Sequence, residues 1–202
     1  MAITLKRTGY GQVEPNHLSG IVTGQIYAQL PTAYTKTVSN DGVASYSGIT
    51  QLEQGQFAKY DMAAGKVNFT GDGEFMLVYN EEKLYDERKQ SHKDFVYKIS
   101  DFTDEQIYPR LIKTYVGDIL TTNTVAAANT SDSATINTDV SLAVGNYLEV
   151  DTSTGFLKLS TTTSGGSTVA ATTIPSGKMV WQVVKEYTMP DGQPGVKIQR
   201  VQ

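Results

Sequence analysis

The chain contains no cysteine, and this absence removes several kinds of site at once. Disulfides, thiolate zinc sites and cysteine nucleophiles all require the missing thiol group. Only two histidines are present, His17 and His92, and neither has a second ligand at helical or strand spacing. No phosphate-binding glycine loop and no nucleophile-elbow motif occurs either. We therefore expect no catalytic residue, no metal site and no cofactor, and interpret the chain as a protein that is not an enzyme.

Long apolar runs and an excess of positive charge are also lacking. No stretch reaches the roughly 18 apolar residues needed to span a bilayer, and the first residues lack the apolar run of a signal peptide. The net charge is −4 and the sequence pI is near 5.2, whereas phosphate binding needs clustered Lys and Arg. We expect neither a membrane nor a nucleic acid as a partner, and synthesis in a cytoplasm.

What the chain does have is one pattern that occurs twice. Residues 52–69 and 142–159 both follow L-x-x-G-x-aromatic-x-x-apolar-D-x-x-x-G-x-apolar-x-apolar without a gap. Such a pattern predicts a β-hairpin in which Asp61 or Asp151 begins the turn and the glycine after it takes the positive-φ position. The repeated aspartates therefore indicate turn residues and not a pair of catalytic carboxylates.

Two looser matches flank the repeated hairpin in the same order. Residues 24–27 resemble 117–120, and residues 73–79 resemble 177–183. Glycine-containing hairpins recur by chance in β proteins, but three ordered matches favour a duplication. The predicted fold is mostly β, with two tandem small antiparallel modules, sandwich-like or barrel-like, related by internal duplication.

Composition divides the chain further into four segments. Thr103 and Gln106 form a capping-box pattern, which predicts a short helix around 103–107, before Pro109. Residues 81–113 are rich in charges of both signs, which is typical of a solvated face and leaves a subunit contact as the alternative. The predicted segments are an extended N-terminal arm (1–20), a first β module (21–100), a connector with the short helix (101–116) and a second β module (117–202).

The predicted arm is broken by glycine and proline, yet it carries more apolar residues than a purely solvated tail requires. One interpretation is a disordered terminus. The other is an arm that lies on a neighbouring subunit and contacts it through apolar side chains. The predicted contact residues are Ile3, Leu5, Tyr10, Val13 and Leu18.

Parts of the sequence resemble known virion proteins. The hairpin pattern, preceded by a Thr- and Ala-rich region, resembles the small β modules of head decoration and other virion proteins of tailed bacteriophages. The opening G-Y-G-Q-V-E-P-N-H-L-S at residues 9–19, followed by T-G-Q-I-Y-A at 23–28, resembles minor structural proteins of phages that infect Gram-positive hosts. The resemblance implies a capsid-associated role and transfers no functional residues.

The function expected from this resemblance is structural. It implies a decoration, cement or minor head protein on the capsid surface of the virion, made in the host cytoplasm. The expected partners are the major capsid protein or other virion proteins, and the chain itself as a homo-oligomer, for instance a trimer. The alternatives are a head–tail connector or fibre-base protein, and a host-surface carbohydrate-binding module. Trp181 could stack on a sugar in that module, although its apolar run favours a core position.

Overall fold

The computed structural model describes residues 2–7, 9–80, 84–86, 91–93, 96–99, 106–126, 140–164 and 167–202, and it confirms a mostly β fold. The elements in chain order are β1 (Ala2–Leu5), β2 (Val13–His17), α1 (Ser19–Val22), β3 (Ile26–Tyr27), β4 (Tyr34–Val38), β5 (Ala44–Gly48), β6 (Gln51–Glu53), β7 (Phe57–Asp61), β8 (Lys66–Asn68), β9 (Phe75–Val78), β10 (Leu84–Asp86), β11 (Ser91–Lys93), β12 (Val96–Lys98), β13 (Leu111–Ile112), β14 (Ile119–Thr122), β15 (Val125–Ala126), β16 (Val140–Ala143), β17 (Tyr147–Val150), β18 (Leu157–Leu159), β19 (Thr161–Ser164), β20 (Ser167–Ala170), β21 (Val180–Thr188) and β22 (Pro194–Arg200).

Two larger sheets contain most of the paired strands. The first sheet has five strands in the order β3-β13-β9-β7-β8, and the second has seven in the order β15-β18-β17-β21-β22-β14-β2. Five strand pairs complete the described structure: β1–β16, β4–β5, β6–β12, β10–β11 and β19–β20. The sequence Pro190-Asp191-Gly192 is typical of a turn between two strands, and in the structure it connects β21 and β22.

The two sheets share one strand order. If the five strands of the first sheet are numbered 1 to 5 along the chain, their order across the sheet is 1-5-4-2-3. Five strands of the second sheet, numbered in the same way, have the same order: β14, β22, β21, β17 and β18. The register also agrees within the repeated hairpins. In the first hairpin Tyr60 is opposite Val67. In the second hairpin the residues 90 positions later, Val150 and Leu157, are opposite each other.

The structure shifts the downstream match by one residue. The sequence match aligns Leu77 with Trp181. In the structure Leu77 is opposite Phe57, and the residue opposite Tyr147, the counterpart of Phe57, is Gln182. Leu77 therefore corresponds to Gln182 and not to Trp181. Because successive strand residues point to opposite faces, a shift of one residue exchanges the two faces of a strand. The apolar pattern of both runs could not reveal the shift, since both faces of the first sheet are buried.

Equivalent turns hold the two repeated hairpins. Gly65 and Gly155 have φ of 62° and 73°, in the left-handed region that glycine adopts without strain. The aspartate that begins each turn accepts a backbone hydrogen bond within it, Asp61 from Ala64 and Asp151 from Ser153. The hairpins predicted from the sequence, with their turn chemistry, are therefore confirmed.

The turns that precede the hairpins also agree. The side-chain carbonyl oxygen of Gln56 accepts a hydrogen bond from the backbone N–H of Glu53, and that of Asn146 accepts one from Ala143. The glycine between each pair again has a positive φ. A side-chain amide thus closes the same turn in both copies of the pattern.

One chain segment reaches both ends of the shared five-strand order in each sheet. In the second sheet β14 is the first of the five strands, and β15, which follows it directly, pairs in parallel with β18, the strand at the other end of that order. In the first sheet β3 pairs with β13, and Thr32 forms a parallel bridge with Val67 of β8. In the second sheet β2 is added outside this order, next to β14.

The core lies on both faces of the first sheet and extends between the two sheets. One face of the first sheet carries Ala58, Tyr60, Val67, Met76, Val78 and Leu111, which form a cluster with Leu52 and Ile49. Its other face contributes Phe57, Leu77 and Ile112 to the larger cluster that contains the interior of the second sheet, including Leu148, Leu157, Trp181 and Ile198. We call this contact between the sheets the seam.

Two predicted segments differ from the expectation, and a third lies mainly outside the described residues. The first 20 residues are paired with this same chain, since β1 pairs with β16 and β2 forms an edge of the second sheet. The segment predicted as a connector contains β13, an inner strand of the first sheet. The helix predicted at 103–107 lies mainly outside the described residues, and 106–107 are not helical.

The helix that the structure does contain, α1, depends on a distant carboxylate. Leu18 makes no side-chain cap, but Ser19 donates hydrogen bonds to Asp118 from both its backbone N–H (3.0 Å) and its hydroxyl (2.6 Å). Asp118 is fully buried and also accepts from the backbone N–H of Tyr115. Because the cap comes from a residue 99 positions away, no local pattern predicts this helix.

Candidate contact surface

The five residues predicted to contact a partner do not form one open surface. Leu5, Val13 and Leu18 are buried in this chain's own core, and Ile3 packs against the same cluster. Tyr10 is 36% exposed. The apolar character of this segment is therefore accounted for by contacts within the chain, and only Tyr10 offers substantial surface to another molecule.

A buried ion pair joins the N-terminal segment to β6, the strand that precedes the first repeated hairpin. Arg7 Nη1 lies 3.0 Å from Glu53 Oε2, and each side chain is only 4% exposed. The backbone N–H of Gly11 donates a 2.9 Å hydrogen bond to the same carboxylate oxygen. Removal of one partner of a buried ion pair leaves an uncompensated charge, so Arg7 and Glu53 depend on each other in the folded chain.

The seam is joined by hydrogen bonds between a turn of the first sheet and a hairpin of the second. Gln56 Nε2 donates to the carbonyl oxygen of Thr154 (2.8 Å), and the backbone N–H of Phe57 donates to that of Gly155 (2.7 Å). Thr124 Oγ1 donates to the carbonyl oxygen of Gln54 (2.8 Å). These bonds are buried, so the two sheets are held together by polar as well as apolar contacts.

A projecting two-stranded ribbon is the most exposed paired element among the described residues with assigned burial. Strands β4 and β5 pair from Tyr34–Gly48 to Val38–Ala44, and nearly all of their residues are exposed on both faces. Val38 and Val43 flank the turn and are 56% and 66% exposed. Sequence reasoning missed this element, although Asp41-Gly42 is a strong hairpin signal.

The aromatic residues of the ribbon contact each other and a lysine. The rings of Tyr34 and Tyr46 lie 6.4 Å apart, and Lys36 Nζ lies 5.9 Å from the centre of the Tyr46 ring. These contacts order the base of the ribbon without burying it. The ribbon therefore presents valines at its tip and tyrosines at its base.

A cleft of about 480 Å³ lies where the repeated hairpins of the two sheets approach each other. Several of its charged side chains are engaged by their own neighbours: Lys158 is 3.0 Å from Asp151, and Lys178 is 3.0 Å from Glu149. Lys59 donates a 2.7 Å hydrogen bond to a backbone carbonyl. The cleft thus carries internally satisfied charges, which makes it a weaker candidate than the ribbon.

The repeated aspartates show pKa values that suit turn carboxylates. Hydrogen bonds from the backbone of Ala64 and the side chain of Asn68 lower the pKa of Asp61. For Asp151, burial acts to raise the pKa, but bonds from Ser153 and Lys158 outweigh it and the net pKa is lowered. Both carboxylates stay ionised at neutral pH, as hydrogen-bond acceptors in their turns.

Comparison of the chain with protein-family models, with curated proteins and with solved structures returned no match.

The histidines and other metal-binding side chains form no cluster in the part of the chain that the structure describes. His17 is exposed in β2, and His92 lies in β11. Within the described ranges, no three His, Asp or Glu side chains converge as metal ligands would. No helix among the described residues is long and apolar enough to cross a membrane.

Proposed function

We propose that this protein is a structural component of a bacteriophage particle, which binds the capsid lattice as a decoration, cement or minor head protein. The proposal combines the resemblance of its hairpin pattern and opening residues to phage virion proteins with one structural observation. That observation is the exposed ribbon of β4 and β5, which has valines at its tip and no core of its own.

An isolated two-stranded hairpin is only marginally stable in water. Each strand of the ribbon pairs only with the other in the described sheets, so each outer edge presents backbone groups that can pair with a neighbouring strand. A ribbon of this kind gains stability when a partner covers it. Many identical small contacts of this type, repeated over a lattice, add up to firm attachment.

We also infer that each sheet is a small closed barrel, and that the two barrels arose by duplication of one. Three observations support this inference: the shared strand order, the shared register of the repeated hairpins, and the single segment that reaches both ends of the five-strand order in each sheet. In this arrangement the ribbon is an insertion between the first and second strands of the first barrel. The ribbon is exposed, whereas the strands of the first sheet contribute to the core.

The N-terminal segment has a smaller role in this proposal than its sequence suggests. Leu5 and Leu18 are buried in the core, so Tyr10 is the residue of this segment that we place in contact with a partner. A carbohydrate-binding module, the alternative from another class, would have to use exposed tyrosines such as Tyr108, because Trp181 is fully buried. We therefore place the main contact on the ribbon.

Reconstitution on particles that lack this protein tests the proposal. Wild-type protein should bind such particles saturably, and Val38→Asp/Val43→Asp should bind far more weakly while remaining folded. The matched control, Val22→Asp/Val169→Asp, adds the same two charges at exposed valines elsewhere and should bind like the wild type. Failure of the wild type to bind particles, or equal binding by both double variants, would refute the proposal.

A further inference from the structure

We propose that copies of this chain associate head to tail, with the turn 143–146 of one copy seated on the hairpin tip 62–65 of the next. The contact would repeat, between copies, the turn-on-tip contact that joins the two sheets within one chain. This inference concerns a surface and a partner, a second copy of the chain, and does not depend on binding to a capsid.

The contact within the chain supplies the template. There, the turn 53–56 of the first sheet lies against the hairpin tip 152–155 of the second, and Gln56 donates a hydrogen bond to Thr154. Both sides are covered by this packing, since Gln56 is 4% and Thr154 8% exposed. A Cβ on Gly155 would overlap the carbonyl oxygen of Phe57, so the turn and the tip are in close contact.

Each partner in this contact has a counterpart 90 positions away. The counterpart of the turn is 143–146, and the counterpart of the tip is 62–65. Both are open at the positions that the joined contact covers: Val144, the counterpart of buried Gln54, is 56% exposed, and Ala64, the counterpart of buried Thr154, is exposed as well. The chain therefore carries one turn joined to one tip, together with a second turn and a second tip of the same geometry that face solvent.

The open turn and the open tip match each other in polarity. The joined pair is polar on both sides, with Glu-Gln-Gly-Gln at 53–56 and Thr-Ser-Thr-Gly at 152–155. The open pair is more apolar on both sides, with Ala-Val-Gly-Asn at 143–146 and Met-Ala-Ala-Gly at 62–65. Apolar side chains exposed at both places gain by covering each other.

Such a contact is heterologous, because it joins two different patches. Contacts of this type form closed rings when the rotation between copies closes, and extended assemblies when it does not. A trimeric ring, one of the arrangements expected from the resemblance, is compatible with it.

The contact between copies should be weaker than the contact within the chain. Ala143 replaces Glu53 at the open turn, so no partner for a buried arginine is present there. The face that continues from this turn carries half-buried Tyr147 and Gln182, where the seam has the fully buried Phe57 and Leu77. Surfaces that associate after folding resemble the rest of the protein surface in this way.

Cross-linking tests the inference directly, because the wild-type chain has no cysteine. Val144→Cys in one preparation and Ala64→Cys in another, distinguished by a mass tag, are mixed and treated with a short bismaleimide. We expect a covalent heterodimer in several-fold higher yield than from the control mixture of Val22→Cys with Ala64→Cys, in which the first cysteine replaces a more exposed valine. Equal yields in the two mixtures would overturn the proposal.

A chain that carries both substitutions adds a second measurement. Val144→Cys/Ala64→Cys should give a series of covalent multimers, because each copy then has one reactive turn and one reactive tip. Addition of Tyr147→Glu to this chain should suppress the series, since a charge would be placed at the position that corresponds to the buried Phe57 of the seam. Persistence of the multimers at the same yield in the Tyr147→Glu chain would contradict the proposed contact.

Discussion

The ring of Phe57 in the first sheet lies 5.7 Å from the ring of Trp181 in the second, tilted by 53°. Both side chains are fully buried. The position that corresponds to Phe57 in the second sheet holds Tyr147, which is only half-buried. The same place in the two sheets is thus part of the seam in one and faces solvent in the other.

Replacement of Phe57 should weaken the seam strongly. Phe57→Ala removes a fully buried ring and leaves a cavity beside Trp181, so we expect the free energy of unfolding to fall by about 3–5 kcal/mol. The matched change Tyr147→Ala should lower it by only about 1 kcal/mol, because that ring keeps part of its surface in water. Urea unfolding followed by the fluorescence of Trp181, the chain's one tryptophan, measures both. Similar losses for the two variants would show that Phe57 contributes no more than its counterpart.

The two hairpin-tip glycines should differ in their tolerance of a side chain. Gly65 has open space around its missing Cβ, so Gly65→Ala should cost about 1–2 kcal/mol, the strain of a positive φ. Gly155 has the same kind of φ, but a Cβ there would overlap both the Phe57 carbonyl and the ring of Phe69. We expect Gly155→Ala to cost about 3–5 kcal/mol. Thermal or urea unfolding of both variants decides the point, and equal costs would mean that the tip does not touch the seam.

Acid should destabilise the protein through its turn aspartates. The pKa of Asp61 and that of Asp151 are lowered in the folded state, so these groups stabilise the fold above the unfolded pKa of about 3.9. That contribution is lost as the pH falls through the folded pKa values. In Asp61→Asn/Asp151→Asn the turn acceptors remain but the charge does not. We expect this variant to be less stable than the wild type at pH 7 and to lose less stability between pH 5 and pH 2. An unchanged acid profile would assign the pH dependence to other groups.

The parts of the fold that the sequence predicted are local. The hairpins at Asp61 and Asp151 depend on turn residues and alternating apolar positions that lie within a few residues of each other. A local sequence pattern is therefore enough to predict them. The final hairpin, with its proline and glycine, belongs to the same class. A matching order of such local units also pointed to two related sheets.

The parts that could not be predicted depend on distant partners. Helix α1 is capped by Asp118, and the buried Arg7 is paired with Glu53. In both cases the partners are far apart in the sequence, and no spacing pattern shows that they pair. The burial of Leu5, Val13 and Leu18 could not be predicted for the same reason, since apolar residues near the N-terminus give the same pattern whether they cover a neighbour or the chain's own core.

Removal of the N-terminal segment should therefore harm the fold as well as any attachment. Leu5→Ala and Leu18→Ala each remove a buried side chain and should lower the free energy of unfolding by about 2–5 kcal/mol. Deletion of residues 1–20 should do more, because it also leaves Glu53 buried without Arg7, a loss of about 3–5 kcal/mol by itself. Tyr10→Ala is the control, with an expected change within about 0.5 kcal/mol for an exposed side chain. Urea unfolding measures all four chains. If the deleted chain unfolds at the wild-type urea concentration, the segment is a detachable arm after all, and its apolar residues are free to cover a neighbour.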